Sequence, residues 1–204
     1  MNISSSKYRF KATFTGPILG SQPGRDTPAS DFIRGQVQRR NPEIPIEDEV
    51  ETLPEALEKG TTAFHKNPAD GKPCLYNYHI KGALKAAGDA LNGVGGFKQL
   101  RSKIDNTVFV SPRIIPIVGV LSPDMLERPL RCMTMQGPRV SLARSEMIEA
   151  GATIEAIIEC METPKFELTE DMLRAFLDYS TRLGIGQWRN SGIFGSYEYT
   201  LEAL

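Results

Sequence analysis

Leu183-Gly184-Ile185-Gly186-Gln187-Trp188-Arg189-Asn190-Ser191-Gly192-Ile193-Phe194-Gly195 lies between a strongly patterned helix and a short terminal strand. Four glycines bracket Gln187, Trp188, Arg189 and Asn190. Without a Cβ, glycine lets backbone approach another backbone or a phosphate, and it opens positive φ to the chain. Arg189 and its amide neighbours supply donors suited to phosphate or RNA, and the indole of Trp188 supplies a stacking surface. The competing reading is a glycine-rich connection whose Trp188 fills a core.

Working outward from this loop, Thr169 reads as the cap of the preceding helix, with Glu170 and Asp171 in its first turn, where acidic groups suit the helix dipole. Met172, Leu173, Phe176, Leu177 and Leu183 form its apolar face. Before it, Ile154, Ala156, Ile158 and Cys160 alternate with Glu155, Ile157 and Glu159, the pattern of a half-buried strand. Near the N-terminus Tyr8, Phe10, Ala12 and Phe14 alternate with Lys7, Arg9, Lys11 and Thr13, a strand with one apolar and one basic face. Ile80, Leu84, Ala87 and Leu91 recur at helical spacing, with Lys81 and Lys85 one turn apart. Strands are expected over 106–110, 113–118 and 140–144, with an extended segment over 126–135. A short helix capped by Ser30 or Asp31 is expected up to Arg40, followed by the acidic run Glu47-Asp48-Glu49-Val50-Glu51 between prolines. That run reads as a solvated insertion or as a shield for a basic surface.

The order strand, helix, strands, strand, helix, glycine loop, strand predicts an α+β fold. It takes the form of a ferredoxin-like or RRM-like antiparallel sheet with helices on one face. We expect one domain over 1–204, with 21–73 a loop and helix insertion and 119–152 an extended, hairpin-like insertion. Lys and Arg number 24 against 25 Asp and Glu, a formal net charge of −1, so any nucleic-acid surface is local rather than global. The three cysteines, Cys74, Cys132 and Cys160, lack close zinc spacing and read as reduced thiols. No signal peptide or apolar span is evident, so a cytoplasmic protein with no membrane partner, metal or cofactor is expected.

The glycine loop resembles the signature of the RAMP superfamily, the repeat-associated proteins of CRISPR effector complexes. There, a hydrophobic-glycine pair, polar or basic residues and a second glycine pair follow the last helix. Gly184, Gly186, Gly192 and Gly195 occupy those places, although Ile193 and Phe194 stand where one residue is usual. Phe14-Thr15-Gly16-Pro17-Ile18-Leu19-Gly20 is similar to the turn that ends the family's first strand. Leu75-Tyr76-Asn77-Tyr78-His79-Ile80-Lys81-Gly82-Ala83-Leu84-Lys85 is similar to the entry into its first helix. Glu127-Arg128 before Gly151-Ala152-Thr153-Ile154-Glu155 is similar to its arginine segment and following strand. The ending also resembles that of a group of bacteriophage proteins.

The resemblance implies a non-catalytic subunit that binds RNA or single-stranded nucleic acid in a ribonucleoprotein, assembling with copies of itself or with other RAMP-like subunits. It implies an RNA track along the glycine loop, with Gln187, Trp188, Arg189 and Asn190 opposite Lys81 and Lys85. Those lysines also suit an ordinary solvated helix face. Arg128, Arg131, Arg139 and Arg144 fall within seventeen positions around Met133-Thr134-Met135-Gln136-Gly137-Pro138. This segment reads as a hairpin that wedges between bases, or as a buried hairpin with snorkelling arginines. Some family members cleave RNA, which makes His79, Asp26 and Asp31 weaker candidates for an endoribonuclease site. A third reading is a phage interaction module that mimics a CRISPR subunit and uses the acidic run.

Overall fold

The computed structural model of the protein describes residues 4–23, 61–119, 122–134, 137–164 and 166–204. Of residues 23, 130–134 and 137–142 only the backbone is described. The expected helix up to Arg40, the acidic run, Asp26, Asp31 and the Met135–Gln136 tip lie outside the described residues. By contacts the chain divides into two compact units, one of residues 1–18, 65–123 and 148–204, the other of 19–64 and 124–147.

The first unit is built on β1 (Ser5–Phe14), whose alternation places Tyr8, Phe10, Ala12 and Phe14 inside. β11 (Thr153–Met161) does the same with Ile154, Ala156, Ile158 and Cys160. β7 (Val108–Ser111) and β12 (Tyr197–Ala203) complete a sheet of order β12-β1-β11-β7, and all three neighbouring pairs are antiparallel. Along the chain, α1 (Asn77–Ala90) falls between β1 and β7, and α3 (Glu170–Leu183) between β11 and β12.

Both helices bury an apolar stripe at helical spacing, Ile80, Ala83, Leu84 and Ala87 on α1 and Leu173, Phe176 and Leu177 on α3. Such a stripe is what turns helix propensity into stable packing on a sheet. Thr169 caps α3 as expected, its Oγ1 accepting from the Met172 amide at 3.3 Å. Polar bonds tie the layers: Ser180 Oγ pairs with the buried Tyr197 hydroxyl, and Arg174 donates to the Leu201 carbonyl at 3.1 Å. Asn77 Nδ2 donates to the Val110 carbonyl at 2.8 Å, fixing the start of α1 against β7.

One expectation is corrected here. Asn106 and Thr107 are not in a strand; they end the helix α2 (Leu100–Thr107), and β7 starts only at Val108. Leu100 and Ile104, one turn apart, supply its buried side, and Thr107 Oγ1 donates back to the Lys103 carbonyl at 2.8 Å. A small three-stranded sheet of order β5-β6-β8 also belongs to this unit, from β5 (His65–Lys66), β6 (Pro73–Tyr76) and β8 (Ile114–Pro116). Among the described residues Cys74 and Cys160 are free and buried, and burial pushes the Cys160 thiol up to about 12.

The second unit draws on both stretches expected as insertions. Its sheet follows the order β2-β10-β4-β3, from β2 (Ile18–Leu19), β10 (Gly137–Ile148), β4 (Thr61–Ala63) and β3 (Gln22–Pro23). β9 (Asp124–Thr134) pairs with β10 as a long antiparallel hairpin, from Met147 opposite Asp124 to Gly137 opposite Thr134. Glu146 anchors the unit locally, its carboxylate accepting from the Phe64 amide at 2.7 Å.

Candidate nucleic-acid interface

A cationic strand face is the first place to look for phosphate binding, and β1 carries Lys7, Arg9 and Lys11 outward. Its neighbours cancel that charge. Lys7 lies 3.6 Å from Glu159, and Arg9 lies 3.6 Å from Glu155 and 3.5 Å from Glu202. Register makes this systematic, because Lys11 stands opposite Glu155 and Arg9 opposite Glu202. The open sheet face is therefore a set of compensated ion pairs rather than a basic patch.

An excess of cations over carboxylates gathers at the helices instead. The stripe that buries Ile80 and Leu84 turns Lys81, Gly82 and Lys85 to the other side of α1. On α2, burial of Leu100 and Ile104 likewise leaves Arg101 and Asp105 outward at i, i+4. These residues, with Tyr78, Ala86 and Arg189, line an open cleft of about 300 Å³. The lining holds four cations and a single carboxylate, in a chain whose net charge is −1.

Asp105 organises the lysines. Lys85 Nζ is 2.8 Å and Lys81 Nζ 3.5 Å from its carboxylate, and Lys81 also donates to the Asp105 carbonyl at 2.8 Å. The Lys85 bond, and the charges of both lysines, hold the Asp105 carboxyl below its usual range. Lys81 further sits 5.2 Å from the centre of the Phe109 ring, a cation–π contact. Arg101 is shared outward with Asp89 at 3.3 Å.

Arg189 reaches this cleft from the glycine loop. Its Nη1 stands 2.9 Å from where a Gly82 Cβ would be, so the guanidinium rests on helix backbone that any other residue would cover. Among the described residues it has no carboxylate partner. The loop that projects it is fixed by backbone packed on backbone. A Cβ at Gly195 (φ +71°) would fall 2.0 Å from the Ile185 carbonyl oxygen, and one at Gly184 (φ +84°) 2.3 Å from that of Phe194. Ile185 N–H donates to Gly195 O at 2.9 Å, and Gly195 N–H to Pro17 O at 2.8 Å. A side-chain turn shapes the Ser191–Phe194 stretch. Ser191 Oγ accepts from the Ile193 and Phe194 amides at 3.3 and 3.1 Å, and Ile193 points outward, 60 % exposed. Gly186 and Gly192 contribute positive φ to the loop. Trp188 and Asn190 are non-glycine residues in the left-handed region, at φ 58° and 71°. Trp188 is 38 % exposed, so it is not a core tryptophan.

His79 is placed differently from a solvent-facing acid or base. It is buried, stacked on Tyr78 at 4.3 Å between ring centres, with Nδ1 3.2 Å from the Tyr76 amide and 3.1 Å from the Tyr76 carbonyl. The tautomer decides which of the two it engages, and either way it closes the start of α1. Burial pushes its pKa down to about 4, so it is neutral near pH 7. Tyr78, 54 % exposed at the cleft, meets His65 Nε2 through its hydroxyl at 3.1 Å.

The hairpin arginines are in the second unit. Arg144 is paired with Glu127, the residue opposite it in the register. Arg128 is half-buried, and burial lowers its pKa. Arg131 stands opposite Val140 and Arg139 opposite Cys132, their side chains lying outside what is described. Lys81, Lys85 and Arg189 line one cleft, while Asn190 lines a separate groove. Tyr78, Gly82, Arg101 and Asp105 were not among the candidates. Among the described residues no group of three or more His, Cys, Asp or Glu is placed to hold a metal, and no helix is long and apolar enough to cross a membrane.

No protein-family model and no curated protein matches this chain. Among solved structures it is similar to a chain in the cryo-EM structure of the Type III-B Cmr-beta bound to cognate target RNA, at 13 % identity and a TM-score of 0.48. The likeness covers 98 % of this chain and 61 % of that one, so this chain spans about three-fifths of the length of the solved chain it matches.

Proposed function

We propose that this protein is a non-catalytic RNA- or single-strand-binding subunit of a ribonucleoprotein, and that the α1–α2 cleft beneath the glycine loop is its phosphate track. The observation that carries this is the meeting of Arg189 with Lys81, Lys85 and Arg101 around one open cleft. The strand order, with each helix crossing over one face, supports reading the first unit as a ferredoxin-like domain of the RAMP type. In that reading the glycine loop serves the strand indirectly. Its glycines lock backbone to backbone, and the locked loop delivers one guanidinium onto Gly82. A guanidinium and two ammonium groups on a helix side recognise phosphate without reading sequence.

The burial of His79 and its service to the helix start support binding over an endoribonuclease built on that residue. The bacteriophage resemblance and a cytoplasmic setting fit this reading, and further copies or RAMP-like subunits are its expected neighbours. The test is fluorescence anisotropy with labelled single-stranded RNA and DNA, for the natural chain and for Lys81→Gln/Lys85→Gln/Arg189→Gln. Salt-sensitive binding that the triple variant loses while keeping its melting temperature is the expected result. Equal affinity for the two proteins refutes the track.

A further inference from the structure

α3 turns a second face outward, and its residues recur at i, i+3, i+4 and i+7. Ala175, Asp178, Tyr179 and Arg182 line an open groove of about 560 Å³ with Leu91, Leu183 and Asn190. Leu91, Ala175 and Leu183 give an apolar floor, and Tyr179 stands at its side, 42 % exposed. The polar groups around that floor are one carboxylate, one guanidinium, one amide and the Tyr179 hydroxyl.

The carboxylate is positioned in advance. Asp178 Oδ1 accepts from the Tyr199 hydroxyl at 2.7 Å. Burial and that bond push the Tyr199 phenol up to about 12, so it remains a donor through neutral pH. A carboxylate accepts at about four lone-pair sites, so this bond leaves the remainder for a ligand. The groove and the cleft are lined by sequence neighbours. Arg189 lines one and Asn190 the other, and consecutive Cα atoms are only about 3.8 Å apart. A strand with a phosphate on Arg189 thus runs past the loop that also contributes Asn190 to the groove.

We infer that this groove is a base-binding subsite, selective for guanine, on the strand held by the cleft; the inference rests on the phosphate-track reading above. An apolar floor beside a tyrosine ring accepts a planar base, because every base has a π-face to stack. The polar edge then discriminates. The Asp178 carboxylate needs donors, and guanine offers N1–H and N2–H side by side. Arg182 and Asn190 donate, and guanine offers O6 and N7. Uracil turns two carbonyls toward a carboxylate around its single N–H, and adenine offers only its N6 donors.

The experiment is an anisotropy titration of the full chain with an all-uridine RNA oligomer and the same oligomer bearing one central guanosine or adenosine. The guanosine oligomer is expected to bind about tenfold tighter than the other two. Asp178→Asn should erase that preference, and Tyr179→Ala should weaken the guanosine oligomer. Tyr179→Ala should weaken the all-uridine oligomer as well, because every base can stack, and neither change should alter the salt slope set by the cleft cations. Because Tyr179 is exposed, its removal spares the core, and the melting temperature checks this. Equal affinity for the three oligomers, with salt-dependent binding retained, overturns the base subsite alone. Absence of salt-dependent binding to any of them overturns the phosphate track and the subsite with it.

Discussion

Replacing Arg189 with glutamine gives the sharpest test of where phosphate binds, because the salt dependence of affinity counts charges. The cleft lining carries Lys81, Lys85, Arg101 and Arg189 against Asp105. Arg101 is also paired with Asp89, as the β1 cations are with their glutamates, so four cations less two carboxylates leave a net of two positive charges. Each phosphate neutralised on a single strand contributes about 0.7 to the slope of log affinity against log salt, so two give a slope of about −1.4. Between about 50 and about 200 mM salt, that slope is a loss of about sevenfold. Arg189→Gln removes one contact, so the slope should relax to about −0.7 and the loss to about 2.6-fold. The assay is anisotropy of a labelled uridine oligomer at both salt concentrations, with circular dichroism to show an unchanged fold. An unchanged slope in a folded Arg189→Gln protein would falsify the assignment. Phosphate would then lie elsewhere on the molecule, whatever the absolute affinity.

Asp105→Asn should act in the opposite sense, freeing both lysines, tightening binding at low salt and steepening the slope to about −2.1; a weaker, flatter dependence would show that Asp105 is needed to hold the lysines in place. Gly82→Ala should keep the fold, since the atom displaced is the end of the Arg189 side chain, yet reproduce the binding loss of Arg189→Gln. Gly195→Ala drives a Cβ into the Ile185 carbonyl at positive φ and should cost on the order of 3 kcal/mol, lowering the melting temperature by roughly 6–12 °C. Gly192→Ala, with open space around it, should cost only about 1 kcal/mol for its φ of +73°; equal losses for the two glycines would refute the packing argument. His79 is depressed to about 4 from 6.5, so the unfolded chain binds the extra proton between those values. Its contribution of up to about 3 kcal/mol is present above pH 6.5 and is lost as pH falls toward 4, a decline that denaturant melts should show flattened in His79→Asn.

The sheet and its two long helices were legible because burial there follows simple periods. β1 and β11 alternate residue by residue, and α1 and α3 keep apolar stripes over fourteen residues each. The helix α2 was not legible, for local reasons. It has eight residues, its N-cap position Gln99 is held at φ 58° without a capping side chain, and a glycine-rich turn precedes it. Its end imitates a strand, because the β-branched Thr107 runs straight into Val108, Phe109 and Val110. Only the bond from Thr107 Oγ1 back to Lys103 marks it as the last helical turn.

That one unread helix explains why the site was read in part. Lys81 and Lys85 follow from spacing on α1, and Arg189 from the composition of its loop. Arg101 and Asp105 have no reason to face α1 until α2 exists. The basic face of β1 misleads in the converse way, since Glu155, Glu159 and Glu202 reach it only through strands paired from the far end of the chain. The glycine loop shows the same dependence on tertiary context. Read alone, its glycines suit a backbone neighbour and a phosphate equally. The structure gives Gly184 and Gly195 to the backbone, leaving no room there even for a methyl group. What remains for a ligand is a consequence of that closure. The Asn190 amide is held to the Leu183 carbonyl at 2.6 Å, so the root of Arg189 is fixed beside the end of α3. An arginine whose base is immobilised this way loses less freedom on meeting a phosphate than one on an open loop, and the guanidinium above Gly82 is correspondingly the contact expected to weigh most.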